Sequence, residues 1–144
     1  MTRAYVDANV ILRFLVGDPP EMAEQSARLF QAVEDRTITL VLDDIVVAEV
    51  VWVLGSYYRH AAKEIATVLR GFLLQDGIEA MERDTLLLAL TLYETKNVDF
   101  ADALLAARMQ ERGIPAVFSF DKHFDRFEGV RRISPGAVTD LART

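Results

Sequence analysis

The segment from Asp99 to Asp121, DFADALLAARMQERGIPAVFSFD, contains the pattern that decides the fold. Its first part predicts a helix that opens at Asp99 and ends at Gly113-Ile114-Pro115, because glycine just past a helix and proline soon after it are typical stop signals. Ala116 to Ser119 then predicts a buried strand, which Asp121 follows. The segment therefore predicts one helix–strand unit of an α/β protein.

The same alternation extends over the rest of the chain. We predict further strands at Arg3 to Val6, Ile38 to Leu42, Ile78 to Met81 and Val130 to Ile133, with a short tail after the last one. Helices are predicted over Asn9 to Val16, Pro20 to Glu34, Asp43-Asp44 to Tyr57, Ala61 to Leu74 and Arg83 to Glu94. Strands that alternate with helices are typical of a mainly parallel sheet with helices on both faces. We therefore expect one domain over residues 1–144, an α/β/α sandwich of three layers around a mainly parallel central sheet.

The composition excludes several classes of function. Lys and Arg number 16 and Asp and Glu number 22, which gives a formal net charge of −6. Duplex-DNA binders carry a surplus of positive charge, so this balance argues against that class. The absence of cysteine excludes disulfides, Cys-ligated zinc, iron–sulfur clusters and thiol catalysis, and two histidines cannot build a His-rich metal site.

The sequence also gives no signal for a membrane, for export or for a nucleotide cofactor. Its longest charge-free stretches, such as Val50 to Tyr58, are nine residues long, whereas a membrane span needs ~20. Asp7 lies where a signal peptide would need an apolar region, so we expect a cytoplasmic protein. The seven glycines form neither a Gly-x-Gly-x-x-Gly nor a Gly-x-x-x-x-Gly-Lys motif.

Four carboxylates are the candidate functional groups, because ligands of a parallel sheet bind beyond the carboxyl ends of its strands. Asp7 follows the first strand, Asp121 follows a later one, and Asp102 lies in the first turn of the helix between them. Glu49 lies within residues 45–54, where nine of ten residues are apolar, so we expect it to be buried and to need a partner. We expect the four acids to gather near one end of the sheet.

Each acid also has an ordinary structural explanation. Asp7 could cap the helix after it, and Glu49 could pair with an arginine. Asp121 could be a turn residue, and Asp99 with Asp102 has the spacing of a helix cap and its partner. These explanations leave unexplained why four acids would share one sheet edge. Because such acids repel each other, we expect a divalent cation among them, and oxygen ligands favour Mg²⁺ or Mn²⁺.

Four motifs, in this order, resemble those of PIN-domain nucleases. They are Asp7-Ala8-Asn9-Val10, Val47-Ala48-Glu49-Val50, Asp99 to Ala107 and Ser119-Phe120-Asp121. Within that family the chain resembles VapC-type toxins of type II toxin–antitoxin (VapBC) systems, from Arg3 to about Ser134. The resemblance implies a PIN-like fold and a metal-dependent endoribonuclease that cuts single-stranded or loop RNA by two-metal hydrolysis of the phosphodiester.

The resemblance also assigns roles to single residues. It implies that Asp7, Glu49, Asp102 and Asp121 bind Mg²⁺ or Mn²⁺ and are the catalytic residues. It implies that Asn9 and Ser119 orient ligands or waters around the metal. For Asp99, a helix cap is preferred over a place in the metal shell.

Basic residues after Asp121 are the candidates for RNA binding. They are Lys122, Arg126, Arg131 and Arg132, with Arg13 ranked below them. The alternative for this stretch is a solvated face, and Asp125 within it is expected to be structural or exposed.

Two helices are more apolar than a single buried face requires. This excess indicates an interface with a second copy of the chain or a groove for a partner, although most such residues ordinarily belong to the hydrophobic core. One contains Trp52, and the other contains Leu86, Leu87, Leu88, Leu90 and Leu92. The resemblance implies a homodimer and a VapB-type antitoxin that covers the apolar groove and reaches a basic side chain into the acidic site.

Several other functions compete with this interpretation. Dehalogenase-like phosphatases need Asp-x-Asp after the first strand, and here Asn9 takes the place of the second acid. A phospho-receiver needs an acid at the middle strand and a late lysine, whereas this chain offers Glu49 on a helix. The remaining alternatives are a PIN-domain RNA-processing nuclease outside toxin–antitoxin systems and a module that binds RNA or protein without catalysis.

Overall fold

In the computed structural model, which describes residues 2–141, strands and helices alternate along the chain. The strands are β1 (Thr2–Tyr5), β2 (Ile38–Val41), β3 (Ile78–Glu79), β4 (Ala116–Phe118) and β5 (Arg131–Ile133). The helices are α1 (Ala8–Val16), α2 (Pro20–Glu34), α3 (Asp44–Ser56), α4 (Ala62–Leu74), α5 (Arg83–Lys96), α6 (Phe100–Arg112) and α7 (Val138–Leu141). Short 3-10 helices span Lys122–Arg126 and Pro135–Ala137. The predicted α/β class is confirmed.

The described strands pair in parallel, as predicted, but they divide into two sheets. In one sheet β2 lies between β1 and β3, and in the other β4 pairs with β5. The sequence predicted one central sheet. The difference arises because alternation of strands and helices indicates parallel pairing but does not say which strands are neighbours.

Most element boundaries lie within one or two residues of the predicted ones. Gly17 and Gly113 end α1 and α6 in the left-handed conformation, at φ 79° and 66°, which glycine adopts without steric cost. The predicted burial of the fourth strand was wrong, because Phe118 is 52% exposed. The predicted tail after β5 instead contains a 3-10 helix and α7. Residues 142–144, which the predicted domain includes, lie outside the described part of the chain.

Two hydrophobic cores hold the elements together. The larger core contains fully buried leucines of β2, α4 and α5, among them Leu40, Leu69 and Leu90. The smaller core is made of Val98, Ala103, Ala106, Phe124 and Phe127. Helix α6 contributes to both cores, and the smaller core packs the 3-10 helix after β4 against it. This packing fixes the position of the turn that follows β4.

Ion pairs connect the helices around α6. The Arg108 guanidinium on α6 pairs with Asp44 at the start of α3 and with Glu82, 3.0 Å away, just before α5. Arg70 on α4 pairs with Glu94 on α5 at 2.7 Å. These contacts fix the start of α3 and the approach to α5 relative to α6.

Within residues 2–141, no helix is both long enough and apolar enough to cross a membrane.

Leu90 tests the assignment of the larger core. Leu90→Ala is expected to lower the free energy of unfolding by about 2–5 kcal/mol, because it removes buried methyl groups and leaves a cavity. Urea denaturation followed by circular dichroism measures the change. Met81→Ala is the control, since Met81 is 92% exposed, and it should change stability by less than about 0.5 kcal/mol. Equal losses in the two variants would contradict the described core.

Candidate metal centre

Three potential metal ligands lie together at the carboxyl end of β4. One ligand atom from each of Asp102, Asp121 and His123 lies within 4.8 Å of the other two. Asp102 is half-buried in the first turn of α6, whereas Asp121 and His123 are exposed on the turn after β4. We call these three residues the acidic cluster. It contains two of the four predicted carboxylates and one histidine that the sequence analysis did not select.

Local hydrogen bonds shape the turn that carries Asp121. Its backbone N–H donates to Ser119 Oγ at 2.9 Å, and its own Oδ1 accepts from the His123 N–H at 2.8 Å. The His123 Nδ1 lies 3.3 Å from the same Oδ1. Ser119 thus positions Asp121, and the Asp121 Oδ2 has no hydrogen-bond partner among residues 2–141. That oxygen is free to bind a cation.

The electrostatics of Asp102 also favour a cation. Burial raises the pKa of Asp102, and the negative charges of Asp121 and Asp99 raise it further, whereas His123 lowers it. The carboxylate form is therefore disfavoured in the metal-free protein. A bound cation would reverse this effect, because its positive charge favours the ionised carboxylate.

Asp99 contributes charge to the site and makes no side-chain capping bond. It occupies the N-cap position of α6, as the preferred interpretation required, but its side chain accepts no capping hydrogen bond. Its charge raises the pKa of Asp102 and, second to burial, the pKa of Tyr93. The position of a helix cap is confirmed for Asp99, but the capping hydrogen bond is not found.

Asp7 and Glu49 are not members of the acidic cluster. Asp7 caps α1, because its Oδ1 accepts from the Val10 N–H at 3.1 Å. It also lines a cavity with Tyr5 and Asp43 at the carboxyl ends of β1 and β2. Asp43 caps α3 through the Ile45 N–H at 3.0 Å, as its position predicted. Asp7 follows β1 in one sheet and Asp121 follows β4 in the other, and the predicted metal-binding role of Asp7 stays a prediction.

The prediction that Glu49 is buried and paired was wrong. Its side chain is exposed and forms no hydrogen bond or ion pair with the described residues. Only one side of α3, with Val47, Val50 and Leu54, packs into the core. An apolar sequence therefore does not bury the whole helix, and Glu49 lies on its solvent side.

The side chains of Asn9 and Arg13 form a hydrogen bond with each other, and Arg13 also bonds to the turn after α1. Asn9 Oδ1 accepts from Arg13 Nε at 3.1 Å, and Arg13 Nη1 donates to the Asp18 carbonyl at 2.8 Å. These bonds are local to α1 and the turn after it. The metal-shell role of Asn9 and the RNA-binding role of Arg13 stay predictions.

The basic stretch after Asp121 divides into paired and unpaired residues. Arg132 Nε pairs with Asp125 Oδ1 at 3.1 Å, so Asp125 has the structural role that was expected of it. Arg126 donates to the Asn97 carbonyl. Lys122 and Arg131 are exposed and form no ion pair within residues 2–141. These two cations remain available to a ligand.

A polar cleft adjoins the acidic cluster through His123. It has a volume of about 500 Å³, and its lining includes Asn97, Asp99, His123 and Arg126. His123 was not among the predicted site residues, because two histidines alone cannot build a His-rich metal site. The spacing Asp121-Lys122-His123 was the available signal, since a turn after a strand can direct both side chains to one point.

The donors of the acidic cluster fit a divalent cation. Carboxylates with retained waters are the usual ligands of Mg²⁺, and carboxylate ligands also suit Mn²⁺. Asp102 and Asp121 would hold the ion, and His123 is within reach of the same position.

Asp102→Asn is expected to raise the melting temperature of the metal-free protein at about pH 7. A raised pKa means that the folded state binds this proton more tightly than the unfolded chain does, so the carboxylate opposes folding once the pH exceeds the unfolded pKa. The gain should therefore vanish below about pH 4, where both states are protonated. Calorimetry in EDTA across that range measures it. Glu128→Gln, at an exposed loop position, should give no such gain, and a lower melting temperature for Asp102→Asn at neutral pH would contradict the prediction.

Known proteins match this chain over most of its length. The sequence model of the PIN domain matches residues 4–130, a range that includes the whole acidic cluster. The chain is also 25% identical over 130 residues to the VapC ribonuclease of Aquifex aeolicus (strain VF5), an alignment that covers 90% of this chain and 95% of that protein. The family match, together with the parallel α/β architecture, shows that this chain belongs to the PIN domain family.

Proposed function

We propose that this protein is a metal-dependent endoribonuclease that acts as the toxin of a VapBC-type toxin–antitoxin pair. The observation that carries the proposal is the acidic cluster of Asp102, Asp121 and His123 at the carboxyl end of β4. It occurs in a PIN domain that is similar to a VapC ribonuclease. A module that only bound RNA would gain nothing from carboxylates that repel each other and the phosphates of its ligand.

Asp102 and Asp121 are proposed to hold Mg²⁺ or Mn²⁺, and Ser119 holds Asp121 in place through the bond to its backbone N–H. Bound ions of this kind, one or a pair, activate a water and stabilise the leaving oxygen of a phosphodiester. Asp99 adds negative charge that strengthens cation binding, since it acts on Asp102 from the same turn.

Asp7 and Glu49 are proposed to complete the metal site, as the resemblance to PIN nucleases implies. Asp7 is exposed at the end of β1, and Glu49 is exposed without a partner among residues 2–141. Neither carboxylate is therefore committed to an ion pair that cation binding would have to break. Asp7 would keep one oxygen on the Val10 N–H and offer the other to the ion.

RNA is proposed to approach along the turn after β4. Lys122 and Arg131 are exposed and free to contact phosphates, and Arg126 borders the cleft beside His123. Arg132 supports this surface from within, because it pairs with Asp125 and its Nη1 lies 3.5 Å from the Ser119 carbonyl oxygen.

Cleavage of a mixed pool of structured RNA tests the activity. The wild-type protein should cut RNA with Mg²⁺ or Mn²⁺ and not with EDTA. Asp102→Asn and Asp121→Asn should each lower the rate at least about 100-fold, because each removes a metal ligand while it keeps the side-chain shape. Asp7→Asn and Glu49→Gln should show the same loss if these residues complete the site.

Asp35→Asn is the matched control for this experiment, and it should cut at the wild-type rate. Mg²⁺ should also raise the melting temperature of the wild-type protein and of Asp35→Asn. It should not raise the melting temperature of the double variant that carries both Asp102→Asn and Asp121→Asn. If Mg²⁺ raises the melting temperature but RNA is not cut, the metal site stands and the nuclease activity is wrong. If neither effect occurs, both parts of the proposal are wrong.

A partner is proposed to cover the exposed side of α3. Ile45 and Trp52, two turns apart on this helix, are 73% and 67% exposed. The leucines of α5 give no such surface, because Leu86 and Leu90 are buried and the other three are half-buried. Only the first of the two apolar helices therefore supports an interface. A second copy of the chain, as in a homodimer, and a VapB-type antitoxin are the two partners that the family resemblance implies.

Trp52 reports on that interface directly, because it is the single tryptophan of the chain. Its fluorescence should shift to shorter wavelength when a partner covers it, on concentration of the protein alone for a homodimer or on addition of the antitoxin. Trp52→Ala should weaken the association about tenfold or more, as is usual for a buried interface tryptophan. Sedimentation measures this, with Met81→Ala as control. A sedimentation profile that is the same for Trp52→Ala and wild type, with and without antitoxin, would rule out α3 as the interface.

A further inference from the structure

The Phe120 side chain is exposed on the residue immediately before Asp121 of the acidic cluster. It is 86% exposed, more than any other aromatic side chain within residues 2–141. The aromatic pairs of this part of the chain do not include it. A single exposed apolar side chain is common on protein surfaces, so the significance of Phe120 depends on where it is placed and how it is held.

Hydrogen bonds on both sides hold the backbone at Phe120. On one side the Ser119 N–H donates to the Ile133 carbonyl at 3.1 Å, which extends the pairing of β4 with β5. On the other side the Asp121 N–H bonds to Ser119 Oγ, and Asp121 Oδ1 accepts from the His123 N–H. The ring is thus presented from a fixed turn, and a ligand that packs on it would not have to order a loop.

The neighbours of Phe120 have the chemistry of a nucleic-acid site. Asp121, a member of the acidic cluster, directly follows it, and Lys122 comes next as an exposed cation. His123 and Arg126 line the adjoining cleft. An aromatic ring next to cations is the pattern by which proteins bind single-stranded nucleic acid, since bases stack on the ring while the cations contact phosphates.

We propose that Phe120 stacks on an unpaired base of the RNA next to the phosphate held at the acidic cluster. The inference rests on the proposed ribonuclease function and adds the group that selects unpaired substrate. In a duplex each base is covered on both faces by its neighbours, whereas in a loop or single strand a face is open to Phe120. Because every base has such a face, this contact selects strand conformation and not sequence.

Binding of a fluorescent single-stranded RNA to the wild-type protein, with Ca²⁺ in place of Mg²⁺ to slow cleavage, is the experiment that tests this contact. Phe120→Ala should weaken binding under these conditions about 5- to 100-fold, the usual range for one stacked base. Phe120→Trp should restore binding because it keeps an aromatic face. Phe120→Leu should remain weak, since it keeps apolar bulk without that face. Tyr57→Ala is the control, because Tyr57 is similarly exposed but lies at the far end of α3.

Two further RNAs separate stacking from general loss of affinity. A fully base-paired RNA should bind the Phe120→Ala and parent proteins equally. A strand of the same length with abasic sites should do so as well, because it offers phosphates without bases. Phe120→Ala should melt at the parent temperature, since the side chain is exposed and packs on no aromatic neighbour.

The outcomes distinguish this inference from the proposed function. If the wild-type protein cuts RNA and Phe120→Ala leaves single-strand binding unchanged, the stacking role is wrong and the nuclease stands. Phe120→Ala could instead weaken self-association or antitoxin binding and leave RNA binding intact. The ring would then contact a protein partner, and the inference would be wrong. If the wild-type protein neither binds nor cuts RNA, the proposed function and this inference fail together.

Discussion

The two halves of this fold depend on the packing of α6, because different faces of that helix are buried in different cores. Leu104 and Ala107 pack into the larger core, and Ala103 and Ala106 pack into the smaller one. The small side chains of Ala103, Ala106 and Ala107 let neighbouring elements approach α6 closely on both sides. Asp102 lies on the first turn of this helix, so the packing that joins the two sheets also fixes the half-buried acid beside the turn after β4.

The same packing brings the negative charges of Asp99, Asp102 and Asp121 close to one another. Burial raises the pKa of Asp102, and the charges of Asp121 and Asp99 raise it further. His123 offsets only part of the repulsion. Strained carboxylate pairs of this kind are typical of functional sites. A divalent cation bound between Asp102 and Asp121 would offset this repulsion.

The sequence predicted local features well and relations between distant segments less well. The proline that begins α2 and the glycine that ends α6 are signals that lie within a few residues of the chain. The division into two sheets depends on which strands become neighbours, and no local signal encodes that choice. Glu49 shows the same limit, because an apolar helix gives no sign of which side meets the core. His123 joined the acidic cluster through a turn whose hydrogen bonds were not apparent from the sequence.

The charges that remain free determine how the site can attract RNA. Of the predicted RNA-binding residues, Arg13, Arg126 and Arg132 each bond within the protein. That leaves Lys122 and Arg131 on a chain whose net charge is −6. Two free cations release few counterions, so phosphate contacts alone would give weak binding that depends little on salt. Under the proposed function, affinity for RNA would then come largely from a cation held at the acidic cluster and from stacking of a base on Phe120.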